Sequence, residues 1–350
     1  MRLEELAALP SFALLSPGFA DGGPSGQGAA GRRGWLLLRE LRPAARGETT
    51  LVFAPFEDPG SRALALGARS VCECDVDLIP DAPEIDVDLI ASGHARKVEE
   101  IRQAIARGDV YQVCLTFRAR VTGQAASGAH LLSLMCARAV PRFAAWVRLP
   151  DGRELVSASP ELFFETGRGQ VHSEPMKGTA RLGAGGRLEA SDKDRCELAM
   201  ITDLVRNDLA PVCRPRSIRV ANERRVLELP YALQTVSDVV GVLDAGATPL
   251  DVLAVLHPGG SVTGAPKQAA LAMIRALEET PRGAYCGALG LWTGDRSVFS
   301  LLIRTAARAD GGWVYGVGGG IVFDSDPRAE LEELHVKIGA LRGPDRRVTA

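Results

Sequence analysis

The chain has 350 residues, of which 46% are hydrophobic, and carries a formal net charge of −2. This length can bury a large apolar core, and the balanced charge lacks the basic excess of a nucleic-acid-binding protein. The sequence contains no run of about 18 apolar residues and does not begin with a basic and then apolar signal sequence. We therefore expect a cytoplasmic enzyme without nucleic-acid or membrane partners.

Seven cysteines are spaced irregularly along the chain. An odd number without regular spacing does not predict a disulfide framework, so we expect free thiols. Cys72 and Cys74 form a C-x-C pair with no second pair nearby, which disfavours a zinc site.

The first 89 residues differ in composition from the rest. Glycine and proline are dense in residues 16–34, which predicts an irregular loop, whereas Trp35–Leu38 and Thr49–Phe53 have the apolar character of strands. Residues 75–88 contain two prolines and six acidic residues, which is typical of a connector. We therefore predict a front portion, residues 1–89, followed by a main domain, residues 90–345.

Helical and strand patterns alternate in the main domain. Apolar residues recur at helical spacing from 95 to 107, and Gly108 ends this helix before an extended segment, 110–121. Further strands are predicted at 143–149, 154–157, 162–166, 288–293, 299–306 and 313–317, and further helices at 191–210, 248–256, 266–278 and 327–342. The order predicts an α+β fold rather than one crossover helix for each parallel strand.

A lysine, Lys177, lies between Pro175 and Gly178, where backbone can approach a ligand closely. An ammonium becomes nucleophilic only when desolvation or a neighbouring cation lowers its pKa, so a catalytic role requires a buried pocket and a proton acceptor. Glu161 is the candidate acceptor. On its own, a lysine in a glycine-containing turn is usually a solvated surface residue.

Three glutamates in predicted helices are candidate metal ligands. Their spacing puts Glu197 on one helix face with Ile201 and Leu204, which is the predicted core-facing stripe, and puts Glu330 and Glu333 one turn apart. Inward carboxylates without cations repel unless a divalent ion joins them, and Mg²⁺ prefers carboxylates, waters and substrate oxygens. The alternative is surface charge, with Glu333 paired to a lysine one turn later.

Two glycine-rich segments fail the common nucleotide-binding patterns. In residues 259–267, Ala265 and Pro266 interrupt the Gly-Lys-Ser/Thr of a phosphate loop, and residues 316–321 do not complete the dinucleotide fingerprint. We expect the first segment to lead into a helix at Pro266 whose free amides hold a carboxylate. By itself, the second is typical of a bulge or close backbone packing.

Six sequence blocks occur in the order found in chorismate-utilising enzymes. They are Val110–Val113, Ser157–Glu161, Pro175–Thr179, Asp203–Leu209, Gly260–Lys267 and Gly318–Val322. The chain resembles this family over about residues 90–342, and within it most resembles the large subunit of the aminodeoxychorismate synthase type. The resemblance implies two large packed antiparallel β-sheets with outer helices, a chorismate-binding catalytic domain at 90–345 and a front portion that is shorter than usual.

The resemblance also implies a role for each candidate residue. Lys177 would form a covalent adduct with chorismate, with Glu161 as general acid and base. Mg²⁺ would be held by Glu197 and Glu333, with Glu330 as an outer ligand. The expected substrate-binding residues are Thr179, Thr263, Gly264, Lys267, Tyr285, Arg304, Gly318, Gly319 and Gly320. Of these, the arginine would pair with a substrate carboxylate, which suits its forked guanidinium, whereas the alternative is a structural salt bridge.

Lys177 also distinguishes the expected product, because relatives that make anthranilate typically carry alanine at this position. The resemblance therefore implies Mg²⁺-dependent amination of chorismate at C4 to 4-amino-4-deoxychorismate, for 4-aminobenzoate and folate synthesis. Ammonia would come from a glutamine amidotransferase partner. The alternatives are an anthranilate-type or other aminating or hydroxylating enzyme, in which Lys177 only lines the pocket, and an inactive regulatory or binding subunit. Departures from the family pattern at Cys114 and Leu198 motivate the latter.

Overall fold

The computed structural model describes residues 1–21, 34–57, 60–79, 85–122, 127–180, 183, 192–229, 232–309 and 312–341. Most of the glycine-rich segment predicted as a loop at 16–34 lies outside these ranges, as does the middle of the predicted connector at 75–88. Every cysteine of the chain is a free thiol, as expected. Among the described residues, none of the helices combines the length and apolarity needed to traverse a lipid bilayer.

The α-helices of the described residues are Leu3–Leu6, Gly18–Asp21, His94–Arg107, Gly128–Met135, Asp192–Leu209, Pro249–Leu256, Gly260–Thr263, Lys267–Leu277 and Pro327–Ile338. The strands are β1 Phe12–Leu15, β2 Trp35–Pro43, β3 Thr50–Ala54, β4 Leu64–Cys74, β5 Asp86–Ile90, β6 Gln112–Thr122, β7 Phe143–Arg148, β8 Glu154–Ser159, β9 Leu162–Gly167, β10 Gln170–Ser173, β11 Met176–Ala180, β12 Arg219–Leu229, β13 Ala232–Val242, β14 Gly264–Ala265, β15 Ala288–Thr293, β16 Arg296–Leu301, β17 Thr305–Ala309 and β18 Gly312–Ile321.

Local signals in the sequence explain where several helices begin and end. The hydroxyl of Thr248 accepts from the backbone of Asp251, whose carboxylate caps Thr248 in return, and this capping box starts the Pro249–Leu256 helix. The Asp326 carboxylate accepts two backbone N–H groups at the start of the Pro327–Ile338 helix. Gly108 ends the helix before β6 in a left-handed conformation, as predicted.

All pairs of named strands in the described residues are antiparallel, and they form one continuous ladder. Its order is β5–β6–β18–β17–β8–β7–β1–β2–β4–β3–β15–β16–β9–β10–β13–β12, with β14 also paired to β6 and β11 also paired to β13. The front strands belong to this ladder, since β1 pairs with β7 and β3 with β15. The division between residues 1–89 and 90–345 stays a prediction.

Both faces of the central strands of the ladder, such as β7, are buried. Along β7, Phe143 and Ala145 belong to one apolar cluster, and Ala144 and Trp146 belong to another, as the alternation of side chains along a strand requires. The cluster that contains Phe143 consists almost entirely of residues on strands, from both halves of the ladder. The cluster that contains Trp146 also includes helix residues such as Ile274. Strands therefore pack on strands on one face and under helices on the other, which confirms the predicted α+β fold.

Two strand predictions were wrong in detail. The single strand expected at 299–306 is divided into β16 and β17, because Arg304 adopts a left-handed conformation, with φ of 49°. The end of the expected connector is β5, paired with β6. Asp86 and Asp88 are exposed while Val87 and Leu89 are partly buried, so the acidic residues occupy one face of a strand.

Candidate active site

Lys177 lies in β11 at a break in the pairing with β13. The register shifts between Lys177 and Thr179, and Gly178 between them has φ of 68°, a conformation that favours glycine. The buried hydroxyl of Thr235 donates to the Lys177 carbonyl. The bulge and this hydrogen bond fix the backbone from which the half-buried lysine side chain projects.

The glycine run of β18, Gly318–Gly320, pairs with β6, and Gly320 lies close to the Lys177 ammonium. Gly320 is the register partner of Cys114, and a Cβ atom at Gly320 would lie 2.3 Å from Nε2 of Gln112 and 3.6 Å from Nζ of Lys177. A methyl group at this position would therefore clash with the Gln112 amide. The absence of a side chain at residue 320 lets the lysine and the amide approach the same point.

Gln112 is a candidate site residue that the sequence reasoning missed. It is fully buried, and neither Nε2 nor Oε1 of its amide has a hydrogen-bond partner. An unpaired buried amide is costly, which makes a ligand a natural partner for it. The signal in the sequence was its place within Val110–Val113, one of the blocks that carry the family resemblance.

Glu161 lies between β8 and β9 and is 6% exposed. Ser261 donates through Oγ to Oε1 of Glu161 over 2.9 Å. Burial raises the pKa of the Glu161 carboxyl to about 7, against the lowering effects of the Ser261 hydrogen bond and the Lys177 ammonium and with a further raising effect of Glu174. A group with this pKa is populated in both protonation states near neutral pH and can give or take a proton.

The predicted metal ligands occupy different environments. Glu330 is buried, accepts from Oγ of Ser325 over 2.6 Å, and has Oε2 3.3 Å from the position of a Cβ at Gly319. Glu333 is largely exposed and pairs with Lys337 over 2.6 Å, as the surface-charge alternative predicted. The Lys337 ammonium also donates to the Gly318 carbonyl over 2.7 Å, which attaches this helix to the glycine run.

The stripe predicted for the Asp192–Leu209 helix was wrong. Its buried apolar residues are Leu198, Ile201, Val205 and Leu209, whereas Glu197 and Leu204 are only half-buried. The apolar face is turned by about one residue from the predicted stripe, because Leu198 rather than Glu197 occupies its centre. Glu197 therefore lies at the margin of this face.

Carboxylate oxygens are the ligands that suit Mg²⁺, and a magnesium site at Glu197, Glu330 and Glu333 stays a prediction. In the part of the chain that the structure describes, the group of ligand atoms within 4.8 Å of one another is that of His172, Glu174 and Asp238. These carboxylates already contact cations, since Arg142 pairs with Glu174 and Arg225 with both Glu174 and Asp238. His172, Glu174 and Asp238 therefore belong, with these arginines, to a buried ion-pair network.

The Lys267 ammonium is hydrogen-bonded within the protein. Its Nζ donates to Oδ2 of Asp208 over 2.5 Å and to the Leu256 carbonyl over 3.1 Å, so it joins the start of the Lys267–Leu277 helix to two other helices. This helix begins after Pro266, as predicted. A contact between Lys267 and substrate stays a prediction.

The other predicted substrate residues lie on several sides of the glycine run. Thr263 is buried and donates to the Gly259 carbonyl, and Gly264 pairs with β6. The ring of Tyr285 covers Gly316, and Arg304 is half-buried at the break between β16 and β17. The Thr179 side chain lies outside the part of the chain that the structure describes.

A cleft of about 640 Å³ opens beside Tyr285, Gly316 and Thr116. Lys177 and Glu161 do not line this cleft. We place the candidate site at the lysine instead, because there a buried carboxyl, an unpaired amide and the glycine run converge, whereas cleft volume alone says nothing about chemistry.

Comparison with known proteins gives the family. Residues 76–343 match the family described as chorismate binding enzyme, and the chain belongs to this family. An aminodeoxychorismate synthase from Streptomyces pristinaespiralis is 38% identical over 291 residues, covering 78% of this chain and 40% of that protein. An anthranilate synthase component 1 from Haloarcula marismortui is 35% identical over 290 residues, covering 80% of this chain and 58% of that protein. The chain thus spans about half the length of these relatives.

A solved structure shows the same fold. The menaquinone-specific isochorismate synthase MenF from Escherichia coli superimposes with a TM-score of 0.75, at 18% identity, over 96% of this chain and 89% of that protein. The family resemblance expected from the six sequence blocks is therefore confirmed at the level of both sequence and fold.

Proposed function

We propose that the chain aminates chorismate at C4 to give 4-amino-4-deoxychorismate, with Lys177 as nucleophile. The observation that carries the proposal is the convergence of Lys177 and Gln112 on Gly320, with Glu161 close enough for the lysine charge to act on its carboxyl. The similarity to an aminodeoxychorismate synthase supports the choice of product. The product would serve 4-aminobenzoate and folate synthesis.

The reaction proceeds in two displacements. Neutral Nζ of Lys177 bonds to C2 of the ring while the ring double bonds shift and the C4–O bond breaks, and protonated Glu161 gives the departing hydroxyl a proton so that it leaves as water. Ammonia then bonds to C4 as the double bonds shift back and the C2–Nζ bond breaks. The proton lost by ammonia passes through Glu161 to the departing lysine, so the sum is chorismate and ammonia giving product and water.

The fixed polar groups of the site would orient the ring for both displacements. Arg304 would pair with a substrate carboxylate, and the Gln112 amide would find its hydrogen-bond partner in the ligand. Backbone groups of the glycine run and of the segment from Thr263 to Lys267 would contact the rest of the molecule. Orientation in a buried site supplies much of the rate because the protein dipoles are already in place.

The proposed reaction includes a bound Mg²⁺ ion. Glu197 and Glu333 would bind it, with Glu330 as an outer ligand, and the ion would neutralise a substrate carboxylate. The carboxylate donor set and the burial of Glu330 beside the glycine run support the proposal. The chain's own groups carry the proton transfers and the covalent step.

Ammonia would come from a glutamine amidotransferase that associates with this chain. The similarity to an anthranilate synthase component 1, named as one component of a larger enzyme, supports a partner. The same similarity favours anthranilate synthesis as the second candidate function. In that case Lys177 would line the pocket without bonding to substrate.

The test is to incubate the chain with chorismate, Mg²⁺ and ammonium and to identify products by mass spectrometry. We expect 4-amino-4-deoxychorismate, and an intact-protein mass that includes an adduct on Lys177. Anthranilate formed equally well by Lys177→Ala would refute the lysine pathway. No turnover and no chorismate binding, even with an amidotransferase present, would favour the inactive-subunit alternative.

A further inference from the structure

Arg282 is a buried arginine that the proposed reaction does not use. Its side chain is 1% exposed, and the residue lies in the segment that joins the Lys267–Leu277 helix to β15. Nη1 donates to the Val262 carbonyl over 2.6 Å, and Nη2 donates to the Cys114 carbonyl over 2.7 Å. Both carbonyls belong to segments that form the candidate site.

Each of these two carbonyls is next to a site side chain. Val262 follows Ser261, whose hydroxyl donates to Glu161. Cys114 follows Gln112 by two residues on β6, so both side chains lie on the same face of the strand. A single guanidinium therefore sets the distance between the segment that holds Glu161 and the strand that presents the Gln112 amide.

Arg282 also forms an ion pair with Glu278. Nε and Nη2 donate to the two carboxylate oxygens over 2.9 and 2.7 Å. Glu278 in turn accepts the backbone N–H and the hydroxyl of Thr116, both over 2.9 Å. Thr116 is the register partner of Gly318, so the ion pair extends to the glycine run of β18.

The front portion of the chain supports the same guanidinium. The Phe56 ring lies 4.2 Å from Cζ of Arg282, and the Glu57 carboxylate accepts the backbone N–H groups of Arg282 and Gly283. Three residues after Arg282, the Tyr285 ring covers Gly316. The contacts of Arg282 thus join strands, loop and front portion around one side of the candidate site.

We propose that Arg282 is a positioning residue for chorismate binding, which holds β6, the Ser261–Thr263 segment and Tyr285 in the arrangement that the substrate requires. The proposal rests on the proposed function, since it takes chorismate as the ligand. Lysine cannot replace this arginine, because an ammonium has three donors around a point and cannot bridge two carbonyls and both oxygens of a carboxylate.

The test compares chorismate affinity in Arg282→Lys, Glu278→Gln and the matched control Lys97→Met. Lys97 is also buried and pairs with Glu279, the residue after Glu278. Its ammonium lies 5.5 Å from the centre of the Phe117 ring on β6, but it donates to neither of the carbonyls that Arg282 bridges. Binding is measured by calorimetry without ammonium, and thermal unfolding is recorded for each variant. We expect Arg282→Lys to weaken binding by about tenfold or more, with a larger rise in KM than fall in kcat.

Glu278→Gln keeps an acceptor for Thr116 but loses the charge, so we expect a smaller loss of affinity in the same direction. Lys97→Met should lower the unfolding temperature and leave affinity within about twofold of the unaltered chain. If Arg282→Lys does not fold, Glu278→Gln decides the question. Unchanged affinity in the folded variants, or an equal loss in Lys97→Met, would overturn the proposal.

These measurements do not depend on the identity of the product. If the unaltered chain binds chorismate but makes anthranilate, C4 amination is refuted, while the affinities still decide the role of Arg282. Failure of the unaltered chain to bind chorismate would overturn both proposals.

Discussion

Replacing Glu161 by glutamine should change stability in a way that depends on pH. In the folded chain, burial raises the pKa of this carboxyl from 4.5 to about 7. The folded state therefore binds the proton more tightly than the unfolded state, so the stabilisation is complete below pH 4.5 and is lost as the pH rises through 7. The difference between the two pKa values corresponds to about 3 kcal/mol of unfolding free energy.

Glutamine keeps an oxygen that accepts from the Ser261 hydroxyl but cannot ionise. The variant should therefore avoid the cost of a buried charge, and its stability relative to the unaltered chain should rise by about 2–3 kcal/mol between pH 5 and pH 8. Urea unfolding followed by circular dichroism at both pH values measures this difference. Glu228→Gln, on an exposed position of β12, is the control and should show no such change.

The outcome that would refute the reasoning is an equal effect of Glu161→Gln at pH 5 and pH 8. In that case burial would not control the ionisation of Glu161. The same variant should lose amination activity at both pH values, since glutamine cannot transfer the proton to the departing hydroxyl.

Four further predictions concern the site. Lys177→Ala should lower formation of 4-amino-4-deoxychorismate by about a thousandfold or more and abolish the adduct seen by mass spectrometry; activity near the unaltered level would contradict the role of the lysine. Gly320→Ala should weaken chorismate binding by about tenfold or more through its clash with the Gln112 amide, whereas Gly339→Ala, where nothing lies within 4 Å of the new methyl, should not. Gln112→Leu should leave the unfolding temperature unchanged or raised, because it removes a buried amide without a partner, while calorimetry shows weaker chorismate binding; a large loss of stability would mean that the amide is paired within the protein. Removing divalent ions with EDTA should abolish amination, and added Mg²⁺ should restore it; full activity after chelation would exclude a resident magnesium ion.

The sequence by itself located most helices and strands, because the signals are local. The strand-like character of residues 143–149 predicted β7, and Gly108 marked the end of the helix before β6. The candidate nucleophile and its acid were also recognisable, since the blocks around Lys177 and Glu161 carry the family resemblance. Family membership followed from the order of six blocks and did not require coordinates.

Only the tertiary structure decided which side chains meet. Gln112 and Lys177 are separated by 64 residues of sequence, and they converge because β18 brings Gly320 against β6 while β13 holds β11. The pairing of Lys267 with Asp208 was likewise not predicted from the sequence. Such contacts depend on the register of strands and helices that are distant in sequence, and packing of the whole ladder sets that register.

Arg282 illustrates the same difference between what the local sequence indicates and what the tertiary structure decides. In the sequence it is an arginine before a glycine, with no local pattern to indicate burial. Its guanidinium makes four hydrogen bonds, to two carbonyls and a carboxylate, only after β6, the Gly260–Thr263 segment and Glu278 have come together. Phe56 of the front portion completes its surroundings. Sequence periodicity determined the elements of this protein, whereas the geometry of its candidate site arises from long-range packing that no local pattern encodes.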